Sequence, residues 1–357
     1  MAKLYNLAAM TEEERLAKLY EIRCVRVHSL VECDLGCRFC STAAMRRQAS
    51  GSSKPTIVNL STAALRNTLL AVKAQVPNVM TIYDSSDEVW LGRGRGEAYC
   101  RVLEEIKSTM DKGLPRGMRY LIQCRSTDLT EELVDLAARV GIKHLTLGVE
   151  SPVAQVRKDM RKPQDEGLIR NAIQWCVSRG IDAYLLGILF FPTVTLEQLH
   201  ETVAGWHDYQ ALGATISIEP YTMSYLGTPL HDDPSFLVEF VGYEIPFSGI
   251  PMRRLKWESL IWPRDHRVCA VLQWFRKNVD RFINEGLKRL GHHHGFKGAS
   301  GAFTIDCLEY ALKLYAQGSL PPWEPGANAK RSEVYQEYGG GTRFNSTHRL
   351  LDEEAAK

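Results

Sequence analysis

Three cysteines within one short loop, Cys33, Cys37 and Cys40, are the residues of this chain with the most chemistry in them. They stand in V-E-C-D-L-G-C-R-F-C-S-T, residues 31–42, a C-x3-C-x2-C spacing with Gly36 tightening the loop. Thiolates are soft ligands, and three held this closely can bind a metal ion or an iron–sulfur cluster. Three is one short of the four that close a structural zinc site or a fully ligated cluster. A cubane held this way keeps one iron open to a ligand that is not protein. Two other arrangements suit the same residues: a zinc site completed by Cys24 or His28, or a disulfide with a spare thiol.

The cysteines follow an apolar, strand-like run, Cys24–Val31, the first of six. The others are Val79–Tyr83, Tyr120–Cys124, His144–Gly148, Tyr184–Phe190 and Thr215–Glu219. Between them lie amphipathic stretches at helical spacing, around Ala63–Ala74, Glu97–Met110, Thr130–Val140, Glu166–Ser178 and Leu196–Ala211. Gly141 and Gly180 each end a helical stretch before an isoleucine and a strand, as left-handed C-caps do. Strand–helix units in series predict an α/β fold of parallel strands with right-handed crossovers. Six units suit a partial (β/α)6 TIM-like barrel, with a doubly wound sheet as the structural rival. A barrel keeps its chemistry at the carboxyl ends of its strands, and the cysteine loop follows strand one.

Thr11–Arg23 reads as a helix opened by a T-x-x-E capping box, Thr11 to Glu14. Gln48–Pro55 reads as a mobile Ser/Gly-rich loop. Beyond Gly227 the alternation stops. There follow an irregular stretch, Tyr243–Pro251, a helix, Arg267–Leu290, a Gly/His-rich link, Gly291–Gly301, and a helix, Thr304–Ala316. From Pro321 the chain reads as an extended or disordered tail. The expected division is an N-terminal helical segment at 1–23, a core barrel at 24–230, and a mainly helical or irregular extension at 231–357. That extension would cap the substrate and end in a flexible tail.

The cysteine motif, with the aromatic Phe39 inside its last pair and a strand before it, resembles the signature of the radical S-adenosylmethionine (radical SAM) superfamily. That resemblance implies that Cys33, Cys37 and Cys40 ligate a [4Fe–4S] cluster. The open iron would chelate S-adenosylmethionine (SAM), and Phe39 would lie near the adenine. It also implies reductive cleavage of SAM to methionine and a 5′-deoxyadenosyl radical, with an electron from an external one-electron reductant such as flavodoxin or ferredoxin. The polar end of strand two, Asp84-Ser85-Ser86-Asp87-Glu88, stands where the family places acceptors for the SAM ammonium. It resembles the acidic variant of the methylthiotransferase and cobalamin-dependent branches, and Asp84 and Ser86 are the first candidates, with Asp87 beside them. The other reading is a solvated helix N-terminus capped by Ser85 or Asp87.

Arg125, at the end of strand three, is a candidate bidentate partner for the SAM carboxylate, or else a surface charge. The G-x-E-S segment at Gly148–Ser151 resembles the family's strand-four motif, so Glu150 and Ser151 would contact the ribose and amino-acid parts of SAM. A glutamate buried at a strand end needs such partners. Strand five departs from the pattern, with F-F-P-T-V-T where many relatives carry G-x-P-G-x-T. The resemblance covers about residues 24–230.

Weaker groups remain. Gly92-Arg93-Gly94-Arg95-Gly96 precedes a helix and could hold a substrate carboxylate or phosphate, or be an ordinary surface loop. His292, His293 and His294 read as a solvated linker. Cys269 and Cys307, the only cysteines after residue 230, are too few for an auxiliary cluster. Each is a candidate hydrogen-atom donor to a substrate radical, or an inert half-buried thiol.

Composition narrows the class. Of 357 residues, 45% are hydrophobic and 24% charged, as in ordinary globular proteins. A net charge of +2 gives no warrant for a nucleic-acid surface. The longest apolar run, about Ala183–Phe191, is far short of the ~20 residues of a spanning helix. Nine cysteines without a paired framework point to a reducing compartment. With no signal peptide at Met1–Met10, the expected location is the cytoplasm. No cobalamin-binding or RNA-binding appendage is recognisable.

The expected activity is therefore hydrogen abstraction from a small polar metabolite, a sugar, nucleoside or natural-product intermediate, leading to decarboxylation, dehydration, epimerisation or oxidation. The alternatives are radical modification of a peptide or RNA, including methyl or methylthio transfer, and a non-catalytic zinc-stabilised binding barrel.

Overall fold

The computed structural model describes residues 11–14, 23–31, 33, 35–42, 58–76, 78–86, 88–110, 119–224, 228–241, 258–290, 297–324 and 329–331. Its elements run β1 (Cys24–Val27), β2 (Leu30–Val31), β3 (Val58–Asn59), α1 (Thr62–Gln75), β4 (Thr81–Asp84), α2 (Arg93–Met110), β5 (Arg119–Cys124), α3 (Glu131–Val140), β6 (Ile142–Glu150) and α4 (Ala154–Asp159). They continue with α5 (Glu166–Ser178), β7 (Asp182–Phe190), α6 (Leu196–Ala211), β8 (Thr215–Tyr221), β9 (Met223–Ser224), β10 (Leu237–Val241), β11 (Glu258–Trp262), α7 (His266–Arg289), α8 (Lys297–Ala316) and β12 (Ala329–Arg331).

Six strands form one sheet in the order β1-β4-β5-β6-β7-β8, sequence order once the short β2 and β3 are set aside. Cys24 pairs with Thr81, Thr81 with Arg119 and Ile122 with Leu145, all in parallel register. At least one helix lies between successive strands from β4 to β8, so this is the expected α/β strand–helix series, with β1 and β8 as the ends of the strand order. All six apolar runs became strands, and the five amphipathic stretches between them became helices.

Local chemistry sets the element ends. Thr195 caps α6 in a reciprocal box with Gln198, at 3.0 and 3.3 Å. Thr130 caps α3, and Gly141 ends it at φ 94°, where a side chain would be strained. Gly180 closes α5 in the same left-handed way, at φ 65°.

The chain forms two compact units that interleave in sequence. The first holds Met1–Glu32, Ile57–Gly148 and Arg170–Tyr184. In it, alternate strand residues such as Ile82, Ile122, Leu145 and Ala183 are fully buried, the pattern of a sheet face under helices. The other face carries the half-buried Tyr83, Gln123, His144, Asp182 and Tyr184 and the buried Thr146.

The second unit holds Cys33–Thr56, Val149–Ile169 and Leu185–Lys357. In it α7 and α8 pack together, and α8 lies along β8 so closely that a Cβ at Gly301 would collide with the Ile216 carbonyl. A second sheet, β12-β10-β11-β9, is antiparallel and was not foreseen. Its five-residue strands are joined across residues 242–257, so no short turn marks the pairing in the sequence.

At Thr11 the amide donates to Glu14 Oε2 (3.0 Å) and the hydroxyl accepts from the Glu14 amide (3.2 Å), as a capping box requires. Residues 15–22 of that predicted helix, Asp87, the Gln48–Pro55 loop, Tyr243–Pro251, His292–His294 and most of the tail lie outside the described residues, and Arg23, its expected last residue, is not helical. Among the described residues no helix is long and apolar enough to cross a membrane.

Candidate active site

Cys33, Cys37 and Cys40 lie in the second unit, Cys37 buried and the other two half-exposed. Their loop is fixed by its backbone. The Arg38 amide donates to the Met160 carbonyl (3.0 Å), the Leu230 amide to the Arg38 carbonyl (3.2 Å), and the Cys40 amide back to the Cys37 carbonyl (3.3 Å). The Arg38 guanidinium reaches Asp233 at 3.0 Å. Phe39 sits half-buried at the turn between the last two cysteines.

Burial pushes the Cys37 thiol up to about 11, partly offset by the Lys162 ammonium. Left to itself it would be a neutral thiol, and a thiophilic metal would have to displace its proton. The donor set, three thiols on one loop held by the Arg38, Cys40 and Leu230 amides, fits a multi-iron cluster in which each thiolate takes its own iron.

Glu150 ends β6 in the same unit, buried, with its carboxylate 2.6 Å from Lys162 Nζ. Ser151 is buried, and its hydroxyl accepts from the Val153 amide (3.2 Å). The loop from Ser151 to Glu166 closes around Arg157, whose guanidinium donates to the carbonyls of Ser151, Pro152 and Gln164. Sequence reasoning did not pair Lys162 with Glu150 and passed over Arg157. The one available signal was an arginine among apolar helical positions.

The remaining candidates in the barrel segment belong to the first unit. Asp84 is buried, and its Oδ1 accepts from the Ser86 hydroxyl (2.6 Å) and from the amides of Ser86 (3.2 Å) and Ser29 (3.3 Å). Its Oδ2 accepts from the Tyr99 hydroxyl (3.1 Å). The Ser86 hydroxyl also accepts from the amides of Ser29 (2.9 Å) and Leu30 (3.0 Å). Asp84 and Ser86 thus tie the end of β4 to the backbone between β1 and β2, and burial with the adjacent Asp84 holds the Tyr99 phenol well above its usual range.

Arg125 places its Nε 2.7 Å from Asp128 and 3.9 Å from the buried Glu88. In the glycine-rich run, Arg95 donates to the carbonyls of Val89 (2.8 Å) and Ser29 (3.0 Å), while Arg93 pairs with Glu97 (2.9 Å). Those arginines serve the fold of their own unit. Cys269 in α7 and Cys307 in α8 are fully buried, and burial pushes each thiol up to about 12. The Cys269 thiol donates to the Pro263 carbonyl (3.0 Å).

The structure thus brings the cysteines, Glu150, Ser151 and Lys162 into one compact unit and gathers Asp84, Ser86 and Arg125 in the other.

Comparison with known proteins bears on the fold. Residues 27–204 match the family model of the Radical SAM superfamily. The radical S-adenosylmethionine methyltransferase TsrM from Kitasatospora setae, solved with cobalamin and a [4Fe-4S] cluster, is similar at TM-score 0.51 and 15% identity, over 83% of this chain and 61% of that one. The cobalamin-dependent S-adenosylmethionine radical enzyme OxsB, solved with aqua-cobalamin and S-adenosylmethionine, is similar at TM-score 0.55 and 14% identity, over 82% of this chain and 46% of that one. This chain spans less than two thirds of either protein, and at such identity the likeness is one of fold. No curated protein sequence matches it. The matched segment holds the cysteine loop and most of the parallel sheet, and with it the chain carries a domain of the radical SAM superfamily.

Proposed function

We propose that this enzyme uses SAM-derived radical chemistry on a small polar metabolite in the cytoplasm, with residues 24–230 as the catalytic core and 231–357 as the cap over the substrate. Cys33, Cys37 and Cys40 hold the cluster, and Phe39 lies against the adenine. Glu150 and Ser151 hold the ribose and amino-acid parts of SAM, with Lys162 fixing the direction of the Glu150 carboxylate. Arg125 faces the SAM carboxylate. Asp84 and Ser86 already hold backbone and phenol donors, so their segment offers its carbonyls to the SAM ammonium. When bound, the cofactors supply a 5′-deoxyadenosyl radical that removes a hydrogen atom from an unactivated C–H bond. An external one-electron reductant of the flavodoxin or ferredoxin kind provides the electron. The outcome is decarboxylation, dehydration, epimerisation or oxidation, with Cys269 or Cys307 as hydrogen donor in the epimerisation case.

One observation carries the reading: the cysteine loop and the buried Glu150–Lys162 pair, which stands at the carboxyl end of β6, lie in one compact unit. The substrate class, a small polar metabolite, carries over from the sequence reading. The test is anaerobic reduction of the enzyme with SAM, with 5′-deoxyadenosine measured alone and then with sugars, nucleosides and amino-acid-derived intermediates. Release stimulated by such a metabolite supports the proposal. Release stimulated only by peptide or RNA overturns it.

The second reading is methyl or methylthio transfer to a peptide or RNA. Fold likeness to TsrM, a methyltransferase solved with a tryptophan substrate, favours the methyl branch. S-adenosylhomocysteine among the products would decide for it.

A further inference from the structure

Among the described residues, Glu150 and Arg161 are the non-glycine positions with positive φ, at 68° and 56°. Such a conformation costs on the order of 1–3 kcal/mol and persists where the surroundings over-determine it. The surroundings here are specific. Arg157, 1% exposed, spans the loop from inside, donating to the Ser151 and Pro152 carbonyls at 2.8 Å and to Gln164 at 3.1 Å, and reaching Glu166 at 3.4 Å. Glu166 is held in turn by the Tyr209 hydroxyl at 2.8 Å. The Lys162 amide closes the turn on the Arg157 carbonyl at 2.9 Å.

This framework delivers one ammonium to one place. Lys162 and Glu150 meet at 2.6 Å with side chains only 13% and 9% exposed. Two residues before Lys162, the Met160 carbonyl is bonded to the amide that follows Cys37. The ion pair therefore stands on the segment whose backbone anchors the cysteine loop.

We infer that Lys162 is a positioning residue of the redox centre: clamped on Glu150 beside Cys37, it sets how readily a cluster held by the three cysteines accepts an electron. The inference rests on the proposed reading of those cysteines as cluster ligands. Reduction adds one negative charge to the centre, and a fixed cation in an enclosed site stabilises the charged product more than it would in water. Losing the cation would remove that help and leave Glu150 enclosed without its partner.

The experiment is an anaerobic redox titration of the iron-reconstituted, full-length enzyme without SAM, followed by electron paramagnetic resonance of the reduced cluster. Four proteins are compared: wild type, K162M, K162R and E150Q. The expected result is a midpoint shifted to more negative potential in K162M, near wild type in K162R, and shifted to more positive potential in E150Q. Opposite shifts from two changes in one ion pair separate an electrostatic role from general loosening, which would move both the same way. Equal midpoints in all four at full iron content overturn the inference, as do K162M and E150Q shifts of the same sign. Should K162M fail to fold, K162Q removes the same charge and keeps the test. A wild-type protein that takes up no iron overturns the ligand reading itself, and the iron assay tells the two failures apart.

Discussion

At the scale of single residues, the chemistry turns on which thiols are enclosed with a partner and which without. Cys100, Cys176, Cys269 and Cys307 are buried, and burial pushes each up to about 12. Thiolate is the reactive form, so these four are expected to resist iodoacetamide in the native protein at pH 7.5. Exposed Cys24 is expected to label under the same conditions, and mass spectrometry of the tryptic peptides checks both. Substituting Cys37 by alanine is expected to abolish stable iron uptake and 5′-deoxyadenosine formation, whereas C269A is expected to keep both. Iron retained in C37A would exclude that residue as a ligand. Arg157→Met is expected to destabilise the fold by about 3 kcal/mol, since it strands enclosed carbonyls and an acid that the guanidinium had satisfied. Chemical denaturation reads that loss. The cysteine trio was legible because its spacing is local. Arg157 and Lys162 were not, because Lys162 returns to Glu150 through a left-handed turn that nothing at Arg161 announces, and Arg157 bonds backbone carbonyls, which leave no mark on the sequence.

At the scale of elements, the helix ends carry measurable stability. Asp265 caps α7 by accepting from the Arg267 amide (3.0 Å), and its other oxygen accepts from the Leu196 amide at the start of α6 (3.2 Å). Hydrogen bonds from Arg267 hold its carboxyl below the usual carboxylate range, against the opposing effect of burial. A group whose folded pKa is depressed contributes stability above its unfolded pKa, about 3.9 for Asp, and loses it as pH falls through the folded value. Thermal unfolding followed from pH 6 down to pH 3 is therefore expected to show a smaller acid-induced fall in D265N than in wild type. Parallel curves would show that Asp265 has no part in it. Thr195→Ala, which removes the capping box of α6, is expected to cost about 1 kcal/mol. The parallel strands were legible because each is an apolar run followed by an amphipathic helix, two periods that do not overlap. The antiparallel sheet of β9 to β12 was not. Leu237–Val241 and Glu258–Trp262 pair across a long connection, and β9 and β12 are too short to show a period.

At the scale of the whole molecule, sequence-distant pieces share one compact unit: the cysteine loop, the segment after β6 and the C-terminal part of the chain. Among the described residues, the loop is held there by the amides of Arg38, Cys40 and Leu230 and by the Arg38–Asp233 pair. The sheet has its own buried residues, among them Ile82, Ile122, Leu145 and Leu147, each at most 1% exposed. Stability in such a molecule is not uniform, and weakly anchored loops open at lower free energy than the core. A centre bound by three residues of one loop stabilises the closed form of that loop by mass action. Amide exchange of iron-loaded and iron-free enzyme, read by mass spectrometry, should therefore differ in residues 33–40, 149–162 and 228–236. Strands β4, β5 and β6 up to Leu147 should exchange alike in both. Protection lost across those strands on iron removal would instead make the centre part of what holds the sheet together, and the polar strand face would then depend on metal loading as well.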